Sequence, residues 1–385
     1  MQNRTSASTG SSPSQPIRWP AEWEPHAATW LTWPKNPETW PGLLDQVVLA
    51  YVQIIEALIG GERVCIVVDD AEAAESARAA LSRHGVRVDG RITFHLVNTN
   101  DAWVRDYGPI GALSGPPGSQ ERVWLNFGFN AWGGKYPPWD FDAAAGAGIG
   151  SALRGPVFDV PEILEGGAID GNGEGVVLTT ESCMLNRNRS LDGEKRTEEA
   201  ANRFLAHWLG VEQVIWLKKG IIGDDTDGHV DNLARFVDHQ TIVAAVEADP
   251  DDANQPALAE NWSRLESERG RSGRAFDLVA IPMPPPIEHA GARLPASYAN
   301  FYIANEVVLI PSFEAATDRR AAAILGECFP GRNIVRIPSQ MLVVGLGALH
   351  CLTQLEPIGV PAGEGDRGAE TDSERNRLSV PRAIR

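Results

Sequence analysis

Residues 223–232 read GDDTDGHVDN, four aspartates and one histidine within ten residues. Carboxylates and an imidazole at this density suit a metal site, a cradle for a cationic substrate, or a solvated acidic loop. An EF-hand loop requires acids at its first, third and fifth positions, glycine at the sixth and glutamate at the twelfth. With Asp227 and Gly228 as the fifth and sixth, Gly223 falls at the first ligand and Ala234 at the last, so the pattern fails twice. A zinc site would need more nitrogen or sulfur ligands, and the chain holds neither H-E-x-x-H nor C-x-x-C. If His229 opens a strand, then Asp227, His229 and Asp231 alternate onto one face, placing a proton donor beside a cation binder. The plainer alternative is an acidic loop that caps a turn.

Three more stretches carry chemistry. In NTNDAWVRDYGPI (98–110), Trp103 and Asp106 join an aromatic face to a carboxylate, the composition of a cation pocket. The alternative there is a packed loop in which Arg105 and Asp106 bridge to neighbours. In LEGGAID, Glu165 precedes paired glycines at the start of a strand. In VVGLGALHCLTQ, Cys351 follows a glycine-rich run and His350. Cys65, Cys183 and Cys328 read as small buried hydrophobes. A cysteine nucleophile must reach the thiolate form, and adjacent side chains on a strand point apart, so His350 is not assumed to be its base. Together the four stretches describe a cysteine nucleophile, a histidine, a glutamate and two aspartates, biased toward cations.

The elements that position these residues recur in one order: hairpin, amphipathic helix, strand. PGLLDQVVLAYVQIIEALIGG places Leu44, Val47, Val48, Tyr51, Ile54, Ile55 and Leu58 on one helix face, and RVCIVV follows as a buried strand. AEAAESARAALSRHG and ITFHLV repeat the pair. Hairpins are predicted at GNGEG, around Asp238–Gln240 and at Asn305-Glu306, each followed by a helix and a strand. Units starting near Asp106, Glu165, His229, Tyr298 and Cys351 recur about every 60 residues, so five similar ββα-type units would make one closed ring. The predicted fold class is therefore mixed α/β in a single domain over 19–357. Residues 1–18 read as a disordered lead-in, and 358–385 as a mostly disordered polar tail.

Composition limits the partners. Of 385 residues, 34 are Lys or Arg and 51 are Asp or Glu, a net charge of −17 that repels nucleic-acid backbones and favours a small cation. No run is long and apolar enough for a membrane span, and the N-terminal stretch lacks the apolar core of a secretory signal, so the cytoplasm is expected. A homo-oligomer stays open.

NDAWVRDYGP, NFGFNAWGGKY, LEGGAIDGNGEGVVLTTESCMLNRNR, GDDTDGHVDNLARF, SYANFYIAN and GALHCLTQ resemble, in order, the agmatine deiminase family, which includes bacterial-type peptidyl-arginine deiminases. The resemblance runs from Trp19 to Pro357. It implies the guanidine-modifying superfamily and its five-bladed αβ propeller (pentein fold), with the active site in a central channel. It implies Cys351 as nucleophile, His229 as general acid/base and Glu165 as its acidic partner. Asp106 and Asp231 would grip the guanidinium, Trp103 would line the pocket and Asn300 would face the channel. The implied activity is hydrolysis of agmatine to N-carbamoylputrescine and ammonia, a step toward putrescine and polyamines, with no cofactor or metal. The alternatives are a peptidyl-arginine deiminase, an amidinotransferase, and a non-catalytic binding protein for guanidino compounds. One departure is Leu346, where the resembling sequences usually carry glycine.

Overall fold

The computed structural model describes residues 13–153 and 155–359. Most of the expected lead-in (1–12) and tail (360–385) lies outside the described residues. The ordered chain starts earlier than the expected boundary at 19: Ile17–Arg18 is a strand, paired antiparallel with Ile110–Ser114.

Five small sheets share one construction. In each, an antiparallel pair is followed by a helix, and the next strand lies parallel to the second member of the pair. Ile110–Ser114 and Glu121–Gly128 form the first pair, followed by the helix Asp140–Ala152 and the strand Val157–Ile163. Asp170–Gly171 and Val176–Thr180 form the second, followed by Glu198–Leu209 and Gln213–Leu217. Ala234–Phe236 with Thr241–Val246 leads to Gln255–Ser267 and Asp277–Pro282. Tyr302–Ile303 with Val307–Ser312 leads to Thr317–Cys328 and Asn333–Pro338. The fifth unit joins the two ends of the described chain. Thr353–Pro357 pairs antiparallel with His26–Thr32, which runs parallel to Arg63–Val68 after the helix Leu44–Leu58; Ile92–Leu96 follows after Ala71–Arg83. The fold is mixed α/β, and no single sheet closes on itself among the described residues.

Local sequence explains the elements. Leu44–Leu58 buries Val47, Tyr51, Ile54, Ile55 and Leu58, five of the seven residues assigned to its apolar face. Asp70 caps Ala71–Arg83 by accepting from Ala73 N at 2.8 Å, and Thr197 caps Glu198–Leu209 through Ala200 N. The second of these helices ends at Gly210, whose φ of 68° is the left-handed conformation that glycine adopts without penalty.

The arrangement has one consequence for function. Asp106, Glu165, His229, Asn300 and Cys351 each lie a few residues ahead of the first strand of a unit. Residues far apart in sequence thus occupy equivalent places in successive units.

Candidate active site

A cavity of about 640 Å³ reaches Cys351 and Asp106 and is walled by Trp103, Trp132, Trp139, Tyr136 and Phe129. His229, Asp231 and Glu165 do not border it: each is at most 1% exposed, and His229 and Asp231 lie behind Asp106 and Cys351. Cys351 Sγ lies 3.6 Å from Asp231 Oδ2 and 3.2 Å from Asn300 Nδ2. Asp106 Oδ1 is 3.9 Å from His229 Nδ1. The donor atoms of Glu165, Cys183 and His229 lie within 4.8 Å of one another. Asn300 also donates to Asn232 Oδ1 at 3.0 Å and accepts from His350 N at 3.0 Å, which fixes the sulfur's neighbour. All seven residues singled out in the sequence therefore meet here; Trp103 does so as a wall, tilted against Trp40.

The paired glycines after Glu165 explain how carboxylates and imidazole come so close. Instead of the expected strand start, Gly166–Ala168 is one 3₁₀ turn. A Cβ on Gly166 would sit 2.3 Å from the Arg105 carbonyl oxygen. A Cβ on Gly167 would sit 2.6 Å from His229 Nδ1 and 3.0 Å from both Asp106 Oδ1 and Asp231 Oδ2. Three of the candidate side chains thus surround the bare Cα of Gly167, whose N–H donates to Asp106 Oδ1 at 3.0 Å. Gly167→Ala is expected to lower activity by about 100-fold, the cost of displacing a catalytic group by about 1 Å. Its melting temperature should fall as well, because fitting the methyl against three buried side chains costs about 1–3 kcal/mol. Steady-state kinetics beside a thermal melt would check this.

The GDDTDGHVDN segment also departs from the expected strand. Val230–Asn232 is a 3₁₀ turn entered through left-handed Asp227 (φ 67°) and Gly228 (φ 103°), so the face-sharing of His229 and Asp231 comes from a tight turn, not from strand alternation. Asp227 points elsewhere, to Arg189 Nη1 at 2.7 Å and Lys135 Nζ at 2.8 Å. Asp224 accepts from the backbone and hydroxyl of Thr226, and Asp225 accepts from the Tyr136 hydroxyl. These three carboxylates shape the loop.

Electrostatics divide the two central aspartates. Burial pushes the Asp106 carboxyl up, and although His229 opposes this, Asp231 and Glu165 add to it. Burial acts on Asp231 in the same sense, but His350 outweighs it and His229 helps, so its carboxyl lies below the ordinary range. Burial alone would lower His229; the carboxylates of Asp106 and Asp231 and the thiol of Cys183 reverse this and raise it well above an ordinary histidine. The Cys351 thiol is driven well up by burial and then by Asp231 and Asp106. Asp231 Oδ1 and both ring nitrogens of His229 are buried with no hydrogen-bond partner among the described residues. A buried carboxylate oxygen without a donor costs about 1–3 kcal/mol or more, and a cation with N–H donors would remove that cost.

In the loop carrying Cys351, the position where the resemblance leads one to expect glycine has a strained backbone. Leu346 has φ 69° and ψ 14°, left-handed backbone that costs a non-glycine residue about 1–2 kcal/mol. The flanking glycines pack against indoles: a Cβ on Gly345 would lie 2.7 Å from Trp40 Nε1, and one on Gly347 2.4 Å from the Trp103 ring.

Several contributors were not found from sequence. Trp132 Nε1 donates to Asp106 Oδ2 at 2.9 Å. Arg189 Nε donates to Glu165 Oε1 at 2.6 Å. Cys183, expected to be an inert core thiol, lies beside His229. Glu22 anchors a buried charge network described below. Arg105, on the single helical turn Val104–Tyr107, turns away from the cavity to Glu22, as the packed-loop alternative had it.

The chain belongs to the Porphyromonas-type peptidyl-arginine deiminase family, whose model matches residues 18–357. Among curated relatives it is similar to an agmatine deiminase of Pseudomonas syringae pv. tomato, 36% identical over 361 residues, covering 88% of this chain and 95% of that protein. Among solved structures it is similar to the agmatine deiminase of Enterococcus faecalis, with TM-score 0.81, 30% identity, and coverage of 90% of this chain and 98% of that one. An agmatine deiminase of C. jejuni with substrate bound has TM-score 0.78 and 29% identity, covering 89% and 97%. No described helix is long and apolar enough to cross a membrane.

Proposed function

We propose that the protein is an agmatine deiminase, a hydrolase that converts the guanidinium of agmatine to the ureido group of N-carbamoylputrescine and releases ammonia. The observation that carries this reading is Asp231, whose Oδ1 is buried without a partner among the described residues while its Oδ2 lies 3.6 Å from Cys351 Sγ, the sulfur that borders an aromatic cavity. A guanidinium brings planar N–H donors for Asp231 and Asp106 and a central carbon for the sulfur.

The groups act in sequence. Binding of the cation offsets the field of the two carboxylates that holds the Cys351 proton on, so the substrate itself favours loss of that proton to solvent and the thiolate form. Cys351 Sγ attacks the guanidinium carbon. His229, positively charged beforehand, gives its proton to one nitrogen, the C–N bond breaks and ammonia leaves. The remaining S-alkylthiouronium is attacked by water, which loses its proton to neutral His229 with Glu165 alongside. Sulfur departs as thiolate, the remaining hydroxyl proton is lost to solvent, and the neutral ureido product is free. Every step runs on side chains, with no call for a metal or organic cofactor.

The cavity wall favours agmatine over arginine. Glu38, Asp101, Asp106, Asp142 and Asp225 line it against Lys35 and Lys135, and no arginine does so among the described residues. Lys35 is paired with Asp69 and Lys135 with Asp227, so neither is free to receive a substrate carboxylate. The five units are consistent with a five-bladed αβ propeller in one domain from Ile17 to Pro357, the pairing of the terminal strands supporting closure. Ammonia release on agmatine, free arginine and an arginine-containing peptide tests the substrate. Agmatine should give the highest kcat/KM, and a preference for either arginine form would reject this reading.

A further inference from the structure

His350 adjoins the nucleophile in sequence, yet its ring is committed elsewhere. Nδ1 lies 2.8 Å from Asp231 Oδ2, and Nε2 lies 3.0 Å from Glu22 Oε2. Its backbone N donates to Asn300 Oδ1 at 3.0 Å, and its carbonyl accepts from Arg105 Nε at 3.2 Å. The ring cannot turn to Cys351 without breaking these contacts. Ionised carboxylates only accept hydrogen bonds, so a histidine between two of them must donate from both nitrogens, which only the imidazolium does.

Glu22 is held ionised by cations other than His350. Glu22 also accepts from Arg105 Nη2 at 2.9 Å, Arg235 Nη2 at 2.8 Å and Ile303 N at 2.8 Å. Burial alone would raise its carboxyl, but Arg235, His350 and Arg105 hold it well below the usual range. Arg235 is in turn fully buried and paired with Asp170. The charged groups around His350 are thus Asp231 from the 3₁₀ turn, Glu22 from the N-terminal segment and Arg105 from the short helix. Arg235 lies one contact further, behind Glu22.

We propose that His350 is a positioning residue, a fixed imidazolium anchored by Glu22 that occupies Asp231 Oδ2 and thereby presents Oδ1, as carboxylate, to the guanidinium. The need follows from crowding: Asp106, Asp231 and Glu165 lie close together out of water, and neighbouring carboxylates tend to share protons. A built-in cation keeps Asp231 ionised before substrate arrives. This assignment rests on the deiminase reading for what Oδ1 receives; the charge on His350 does not.

Two measurements test it. In wild-type protein with ¹⁵N-labelled histidine, both ring nitrogens of residue 350, assigned by their loss in His350→Gln or His350→Asn, should show the imidazolium pattern at neutral pH, as donation from both nitrogens requires. A neutral-tautomer pattern at neutral pH would overturn the proposal. In kinetics on agmatine, His350→Gln keeps a donor to Asp231 but not the charge, so the Asp231 carboxyl should rise toward that of Asp106 and the acid limb of kcat/KM should move up in pH. The loss is then deepest below neutrality, falls mainly on KM and recovers at alkaline pH. Glu22→Gln should shift the limb the same way by less. A uniform fall across pH would mean that His350 only fills space. Wild-type silence on agmatine would reject the deiminase reading, while the ¹⁵N shifts would still decide the charge.

Discussion

Cys351→Ala is expected to lose turnover of agmatine by about 10⁴-fold or more, as removal of a covalent nucleophile does, while still binding agmatine. The sulfur supplies the bond that splits one difficult displacement into two easier ones, and no other described cysteine borders the cavity. Asp106 and Asp231 do not depend on the sulfur for their positions: Gly167 N and Trp132 hold Asp106, and His350 holds Asp231. The alanine variant should therefore bind agmatine in calorimetry about as the wild type does. Retained turnover would remove Cys351 from the mechanism.

Asp231→Asn should lower kcat/KM by about 10²–10³-fold, the range for removing one partner of a buried, hydrogen-bonded charge pair. The direction follows from His350, which donates to this side chain. An asparagine there turns its oxygen to the imidazole and its amide N–H to the guanidinium, donor against donor. Unlike Cys351→Ala, this variant should bind agmatine poorly as well as turn it over slowly. Loss of kcat with KM unchanged would mean that Asp231 acts on the sulfur and not on the substrate.

Sequence carried the helices and hairpins well because their signals are local. The apolar spacing of Leu44–Leu58 and the turns at GNGEG, Asp238–Gln240 and Asn305-Glu306 fall where the structure has those elements. Local conformation at the site was less legible. Gly166, Gly167 and Gly228 are needed by contacts from other units, so the turns at Glu165 and His229 read as strands from their own residues alone. Glu22 was missed for the same reason, since its bond to His350 spans 328 residues. An acid among Trp19, Pro20 and Trp23, just ahead of a buried strand, was the one available hint. Leu346 is the reverse case: the departure from glycine was visible in sequence, but its left-handed backbone was not.

The most direct measurement of the central claim is a crystal structure of Cys351→Ala with agmatine bound. The guanidinium should lie between Asp106 and Asp231, donating to Asp231 Oδ1, with its carbon facing position 351 and the ammonium end toward the acidic wall of the cavity. An inverted agmatine, its ammonium between the two aspartates and its guanidinium at the mouth, would contradict the account.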